Sequence, residues 1–270
     1  MTTAPHRDRD AVADSLIDRA RRRQGGVAVR TSFVQQGTQS RPIPGPLRNL
    51  ISNHDERGLD LYLLLRAVVS SDETTGEWDV CLDARVWARG LGLPTPRDNG
   101  TAAVSKTWRR LKDHGLVAGE RQGRLANITL LDESGHGDAY TYPSGRGRGR
   151  YFKLSEQFWT APDRWYRTLS NSAKGMLLIA SSLKPGFVLP QEQAPKWYGI
   201  SPDVAGDGLR ELERMGLLSV TRQHRREPLS PTGYVVENSY TLRAPFAQDW
   251  RTDPDLATVT DIREASAGSA

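Results

Sequence analysis

The sequence predicts a mainly helical α+β protein: two tandem units, each closing on a small β-hairpin, between disordered termini. Three observations predict it. A helix-glycine-strand pattern occurs twice at similar spacing, a Gly/Arg run lies between the two occurrences, and both ends of the chain are polar. The expected boundaries are a basic tail over 1–46, a first unit over 47–143, a linker over 144–150, a second unit over 151–247 and an acidic tail over 248–270.

The N-terminal stretch holds nine Arg against four Asp up to Leu50, and its Gly25–Pro46 part shows little periodicity. It reads as disordered, with one short helix expected over Arg9–Arg23 from the shared face of Val12, Leu16, Ile17 and Ala20. The linker is the run SGRGRGR, Ser144 to Arg150, whose alternating Gly and Arg cannot build a core.

The repeat carries the argument. Trp108-Arg109-Arg110-Leu111 runs into Asp113-His114-Gly115-Leu116-Val117, and Leu209-Arg210-Glu211-Leu212 runs into Arg214-Met215-Gly216-Leu217-Leu218. Each has two apolar residues three apart, a glycine where a helix stops in the left-handed conformation, and an apolar pair that opens a strand. Upstream of each lies a second short helix ending near a glycine, at Val86–Leu93 and at Ala194–Ile200. Further upstream, Leu47–Ser70 and Ser170–Leu183 have helical patterns, followed by the extended runs Trp78–Leu82 and Gly186–Leu189. Downstream, Leu116–Ala118 pairs with Ala126–Leu131, and Leu217–Thr221 with Tyr234–Leu242.

This duplicated order resembles the winged-helix (winged helix-turn-helix) superfamily, and its tandem form is similar to plasmid replication initiators. The Arg, Ala and Gly usage resembles that of actinobacterial regulators. The resemblance implies that the second helix of each helix-turn-helix enters the major groove and that the hairpin wing lies along phosphates or the minor groove.

On the first such helix, burying Val104, Trp108 and Leu111 turns Ser105, Lys106, Arg109, Arg110 and Lys112 outward. With Arg121 and Arg124 of the wing, Thr101–Arg124 holds six basic residues against two acidic ones, a surplus that suits an anionic partner. The second helix carries Asp203, Asp207, Glu211 and Glu213 against Arg210 and Arg214, whereas its wing is basic at Arg222, His224, Arg225 and Arg226. The expected division of labour is that the first unit reads sequence, and the second holds the backbone through Arg222, Arg225 and Arg226 or serves as a partner surface.

Chemistry is not expected. The five histidines fall in no metal-binding spacing, Cys81 is the single cysteine, and neither a phosphate-binding glycine loop nor a GxSxG elbow occurs. The expectation is a protein that is not an enzyme and uses no metal or cofactor. No stretch of eighteen apolar residues occurs and the first thirty residues are charged throughout, so neither membrane insertion nor secretion is expected.

The chain carries 37 Lys and Arg against 32 Asp and Glu. The expected partner is double-stranded DNA, with a homodimer left open, in the cytoplasm in association with the nucleoid. The expected role is transcription regulation or plasmid or phage replication. The alternative is a protein-interaction module in a partition, conjugation or defence assembly.

Overall fold

The computed structural model describes residues 4–20, 26–38, 40–71, 78–93, 99–122, 125–160, 162–226, 228–229, 231 and 233–248. Helix α1 (Ala4–Arg19) is followed by strand β1 (Val27–Arg30), a 3-10 turn, and the short hairpin of β2 (Gln35–Gly37) and β3 (Pro42–Pro44). Next come α2 (Leu47–Ser52), α3 (Glu56–Val68), β4 (Ser70–Ser71), β5 (Trp78–Asp83), α4 (Ala84–Gly90), α5 (Asn99–Asp113), β6 (Val117–Gln122) and β7 (Leu125–Leu130). The later part comprises β8 (Tyr151–Leu154), α6 (Trp165–Thr168), α7 (Asn171–Ser181), β9 (Phe187–Val188), α8 (Ala194–Tyr198), α9 (Pro202–Arg214), β10 (Leu218–Arg226) and β11 (Tyr234–Leu242).

Local signals account for several helix ends. Asp55 caps α3 by accepting from the Gly58 N–H at 3.0 Å, Ser170 caps α7 from Ala173 and Ser201 caps α9 from Val204. Gly115 and Gly216 stop α5 and α9 at φ 65° and 74°. In both, the next residue's N–H reaches back to close the turn: Leu116 to the Leu111 carbonyl and Leu217 to the Leu212 carbonyl.

The strands form four antiparallel sheets among the described residues: β1-β8, β2-β3, β4-β5-β7-β6 and β10-β11-β9. The order helix, strand, helix, helix, hairpin does recur, as α3-β5-α4-α5-β6-β7 and as α7-β9-α8-α9-β10-β11. The architecture built from it is nevertheless not the expected pair of tandem winged helices with disordered termini. It is an α+β fold whose N-terminal segment is woven into both halves, with a hydrophobic core that runs continuously from Val12 to Phe246.

Three ties join the N-terminal segment to the rest of the fold. Helix α1 buries Val12, Ala13, Leu16 and Ile17 against α3 and α4. All four residues of β1 are buried, and the strand pairs with β8 in the register Val27↔Leu154 to Arg30↔Tyr151. The β2–β3 hairpin lies on α8, where Gln35 Nε2 donates to the Trp197 carbonyl at 3.1 Å.

Charged residues stitch the same seams. Glu133, fully buried after β7, accepts from Arg30 Nη1 at 2.6 Å and pairs with Arg66 Nη1 of α3 at 2.7 Å. Both guanidinium groups lie over the Tyr140 ring, at 5.1 and 4.8 Å from its centroid. Lys174 of α7, 1% exposed, reaches Asp60 at 2.7 Å and Glu56 at 2.8 Å on α3, while Arg9 of α1 holds the other Asp60 oxygen at 3.2 Å. Asp14 of α1 takes both terminal nitrogens of Arg164 at 3.0 and 2.8 Å, and Asp10 takes Arg167 at 2.7 Å.

The expected Gly/Arg linker is itself ordered into a 3-10 turn over Gly147–Gly149, and the Arg150 carbonyl accepts from Thr31 N–H. Gln248 completes the edge of β8, donating to the Lys153 carbonyl and accepting from its N–H. The acidic tail from residue 249 onward lies outside the described residues.

Candidate nucleic-acid interface

Helix α5 turns Val104, Thr107, Trp108 and Leu111 into the core, where Trp108 meets Trp87 of α4 edge to face at 5.4 Å. The period of 3.6 residues that buries this stripe brings Ser105, Lys106, Arg109 and Lys112 to the opposite, exposed side. Lys106 and Arg109 lie about one turn apart, and neither has a hydrogen-bond or ion-pair partner among the described residues. Ser105 bonds back to the Thr101 carbonyl at 3.0 Å, which leaves its oxygen lone pairs on the surface.

Two expected contacts on α5 are engaged inside the protein. Arg110 sits on the flank, half-buried, and grips Asp55 with two bonds, Nε to Oδ2 at 2.7 Å and Nη2 to Oδ1 at 2.6 Å. Burial works to raise the Asp55 carboxyl. The Arg110 hydrogen bonds, the Gly58 N–H and the charges of Arg110 and His114 outweigh it and hold the group below the ordinary aspartate value. Arg110 therefore locks α5 onto the start of α3, and it is removed from the set of outward groups. Lys112 donates to the Gly119 carbonyl of β6, so its charge is pinned beside the hairpin while its side chain stays exposed. Arg124 and the side chain of Arg121 lie outside the described residues.

No family model, curated protein or solved structure matches this chain.

The second half places its charges differently. On α9, Arg210 is paired with Asp207 within the helix surface, and Glu211 accepts from both the Ser170 N–H at 3.0 Å and the Ser170 hydroxyl at 2.5 Å, bracing the cap of α7. The remaining exposed groups are Asp203, Glu213 and Arg214, a mixed surface that offers phosphate little attraction.

The hairpin beyond it is a ribbon of nine residues per strand, aligned Leu218↔Leu242 through Arg226↔Tyr234. Leu218, Tyr240 and Leu242 anchor its base in the core, and the outer part is exposed. Arg222, His224 and Arg226 alternate along one face of that outer part, opposite Asn238, Val236 and Tyr234. The side chain of Arg225 lies outside the described residues.

Sequence reasoning missed the internal ion clusters. Their signal was present as charged residues inside apolar runs: Asp60 and Arg66 in Leu59–Val69, and Lys174 in Ala173–Ala180. It also missed the exposed apolar residues of β11, since alternation within a strand does not say how far the strand extends beyond its core. Among the described residues, no group of three or more His, Cys, Asp or Glu side chains is placed to hold a metal, and no helix is long and apolar enough to cross a membrane.

Proposed function

We propose that this chain binds double-stranded DNA in a sequence-dependent manner, with the exposed face of α5 as the reading surface and the outer β10–β11 ribbon as a clamp on the backbone. One observation carries the reading: Lys106 and Arg109 project from a helix that is rigidly locked to the core by Trp108 and by the Arg110–Asp55 pair, and they meet no protein partner among the described residues. An exposed helix face fits the major groove, where an arginine fork matches the two acceptors of guanine and a lysine matches a guanine edge or a phosphate. Lys112, Arg222 and Arg226 serve phosphates, which fix register without reading sequence.

The physiological role that follows is a transcriptional regulator or a plasmid or phage replication initiator, acting on DNA in the cytoplasm. A second reading, a protein-interaction module, applies best to α9, because its exposed acids disfavour phosphate and suit a basic protein surface.

The test is a fluorescence-anisotropy titration of the full chain against the DNA upstream of its own coding sequence and against a scrambled duplex, at several salt concentrations. The expected result is tighter binding to the native duplex, with a log-log salt slope of about −0.9 per phosphate contact. Absence of binding to either duplex at low salt sinks the DNA reading in favour of the protein-interaction one.

A further inference from the structure

The aromatic residues that open the second half, Phe158, Trp159, Trp165 and Tyr166, are all buried. Tyr142 is not. It is 58% exposed, and it is the most exposed member of a row of rings drawn from three separate segments. The row starts at Tyr140, whose ring packs under the Arg30 and Arg66 guanidinium groups. Trp78 of β5 meets Tyr140 edge to face at 5.0 Å, Tyr142 stacks on Trp78 at 6.0 Å with the planes 27° apart, and Tyr151 of β8 meets Tyr142 at 6.4 Å.

The backbone on both sides of Tyr142 is tied down. Before it, the Thr141 carbonyl accepts from Arg30 Nη2 at 2.6 Å and the Thr141 hydroxyl accepts from the same nitrogen at 2.9 Å. After it, Pro143 is buried and its ring fixes φ. An exposed ring held in this way loses little freedom when a planar ligand stacks on it.

Charge indicates the kind of ligand. Between Asp138 and Glu156 the chain carries Arg146, Arg148, Arg150 and Lys153 and no acid. The arginine run is folded into a closed turn, in which the Gly145 N–H donates to the Gly149 carbonyl at 3.0 Å and the Gly149 N–H to the Arg146 carbonyl at 2.8 Å. On β8, Phe152 and Leu154 point inward, so Tyr151 and Lys153 share the outward face, about 7 Å apart along the strand. The Lys153 ammonium is exposed and has no partner among the described residues. The nearby acids are directed elsewhere: Asp79 alternates to the face of β5 opposite Trp78, with the exposed Cys81, and Asp132 pairs with Arg30 at 3.1 Å.

We propose that Trp78, Tyr142 and Tyr151, with Lys153 beside them, form a stacking surface for single-stranded DNA. An unpaired base offers a π-face to each ring while its phosphate meets a cation, and this combination holds single strands with little regard to sequence. A base inside a duplex is already stacked on its neighbours and gains nothing here. Proline-rich peptides also lie on aromatic rows, but they bring no charge for the cations. The choice of DNA over RNA rests on the duplex-reading role proposed for α5, whereas the stacking surface itself does not.

Fluorescence anisotropy of the full chain tests this with four labelled probes: oligothymidylate, oligouridylate, an abasic strand of the same length, and the duplex. Oligothymidylate should bind, and the abasic strand should bind at least about fivefold more weakly. Tyr142→Ala should lower oligothymidylate affinity at least about fivefold and leave duplex affinity as it was, while Tyr142→Phe, which keeps the ring, should bind like the unaltered chain. Tyr142→Leu retains apolar packing on Trp78 without an aromatic face, and it repeats the test should alanine disturb the fold by circular dichroism. Lys153→Ala should lower the log-log salt slope on the strand by about 0.7.

No binding of oligothymidylate at low salt overturns the proposal. So does an abasic strand bound as tightly, full affinity in both Tyr142→Ala and Tyr142→Leu, or a salt slope that Lys153→Ala leaves unchanged. Equal losses for strand and duplex at Tyr142 place the rings in the duplex interface instead, and tighter binding of oligouridylate overturns the choice of DNA. Oligothymidylate bound with no duplex binding sinks the reading of α5 and leaves the stacking surface standing.

Discussion

Helices α5 and α9 occupy the same place in the recurring order of elements. Both stop at a left-handed glycine and lead into a hairpin, yet they show opposite surfaces. On α9 Arg210 and Asp207 are bonded to each other and Glu211 to the cap of α7, while Asp203, Glu213 and Arg214 stay exposed, two acids against one base. On α5 one arginine is bonded, Arg110 to Asp55, and two cations stay open to solvent. The difference teaches that apolar spacing and glycine place a helix, while the partners of its charges decide what its outer face can do.

The largest effect is expected at the buried tie that holds β1 to α3 and to the segment after β7. Glu133→Gln leaves the buried Arg30 and Arg66 guanidinium groups without a neutralising charge, and it should cost about 3–5 kcal/mol of stability in urea denaturation. A loss below about 1 kcal/mol would mean that surface-like solvation, and not Glu133, balances those charges.

The sharpest contrast between the helices comes next. Arg109→Ala should weaken DNA binding by about 1–3 kcal/mol and lower the salt slope by about one if its contact is to phosphate, whereas Arg210→Ala on α9 should change affinity by less than about 0.5 kcal/mol. Equal losses at the two positions, measured by anisotropy, would erase the distinction between the surfaces.

A smaller effect separates the locked arginine from the open one. Asp55 has its folded-state pKa held down, so its contribution to stability is present above the unfolded value of about 3.9 and is lost as pH falls through the lower folded value. Asp55→Asn should therefore flatten the acid limb of a melting-temperature profile below about pH 4. An unaltered limb would show that the Arg110 grip does not depend on charge. The smallest effect is expected for Asp207→Asn, which breaks an exposed pair on α9 and should cost no more than about 0.5 kcal/mol.

What the sequence made legible was local. The buried stripe Val104, Trp108 and Leu111 and the stops at Gly115 and Gly216 follow from spacings of three to five residues, and the structure places them so. What it hid was distant. β1 reads as four ordinary residues in a polar stretch, and only its pairing with β8 makes it core. Arg110 looks as outward as Arg109 until Asp55, far off in the chain, is found beside it. The same holds for Lys174 and Asp60, whose burial depends on two halves meeting. The expectation of two tandem winged helices with disordered termini failed for this reason: it followed the repeat and had no means to see a third segment crossing it.

The pairing of Val27 with Leu154 has a consequence for how the protein is made. A strand that leaves the ribosome early must wait for its partner, and at ordinary rates of synthesis the delay is on the order of ten seconds. Through that interval Val27, Ala28 and Val29 are apolar chain without a sheet, and the first half is without its N-terminal brace. The nascent chain thus exposes, through that interval, an apolar strand that the finished protein conceals.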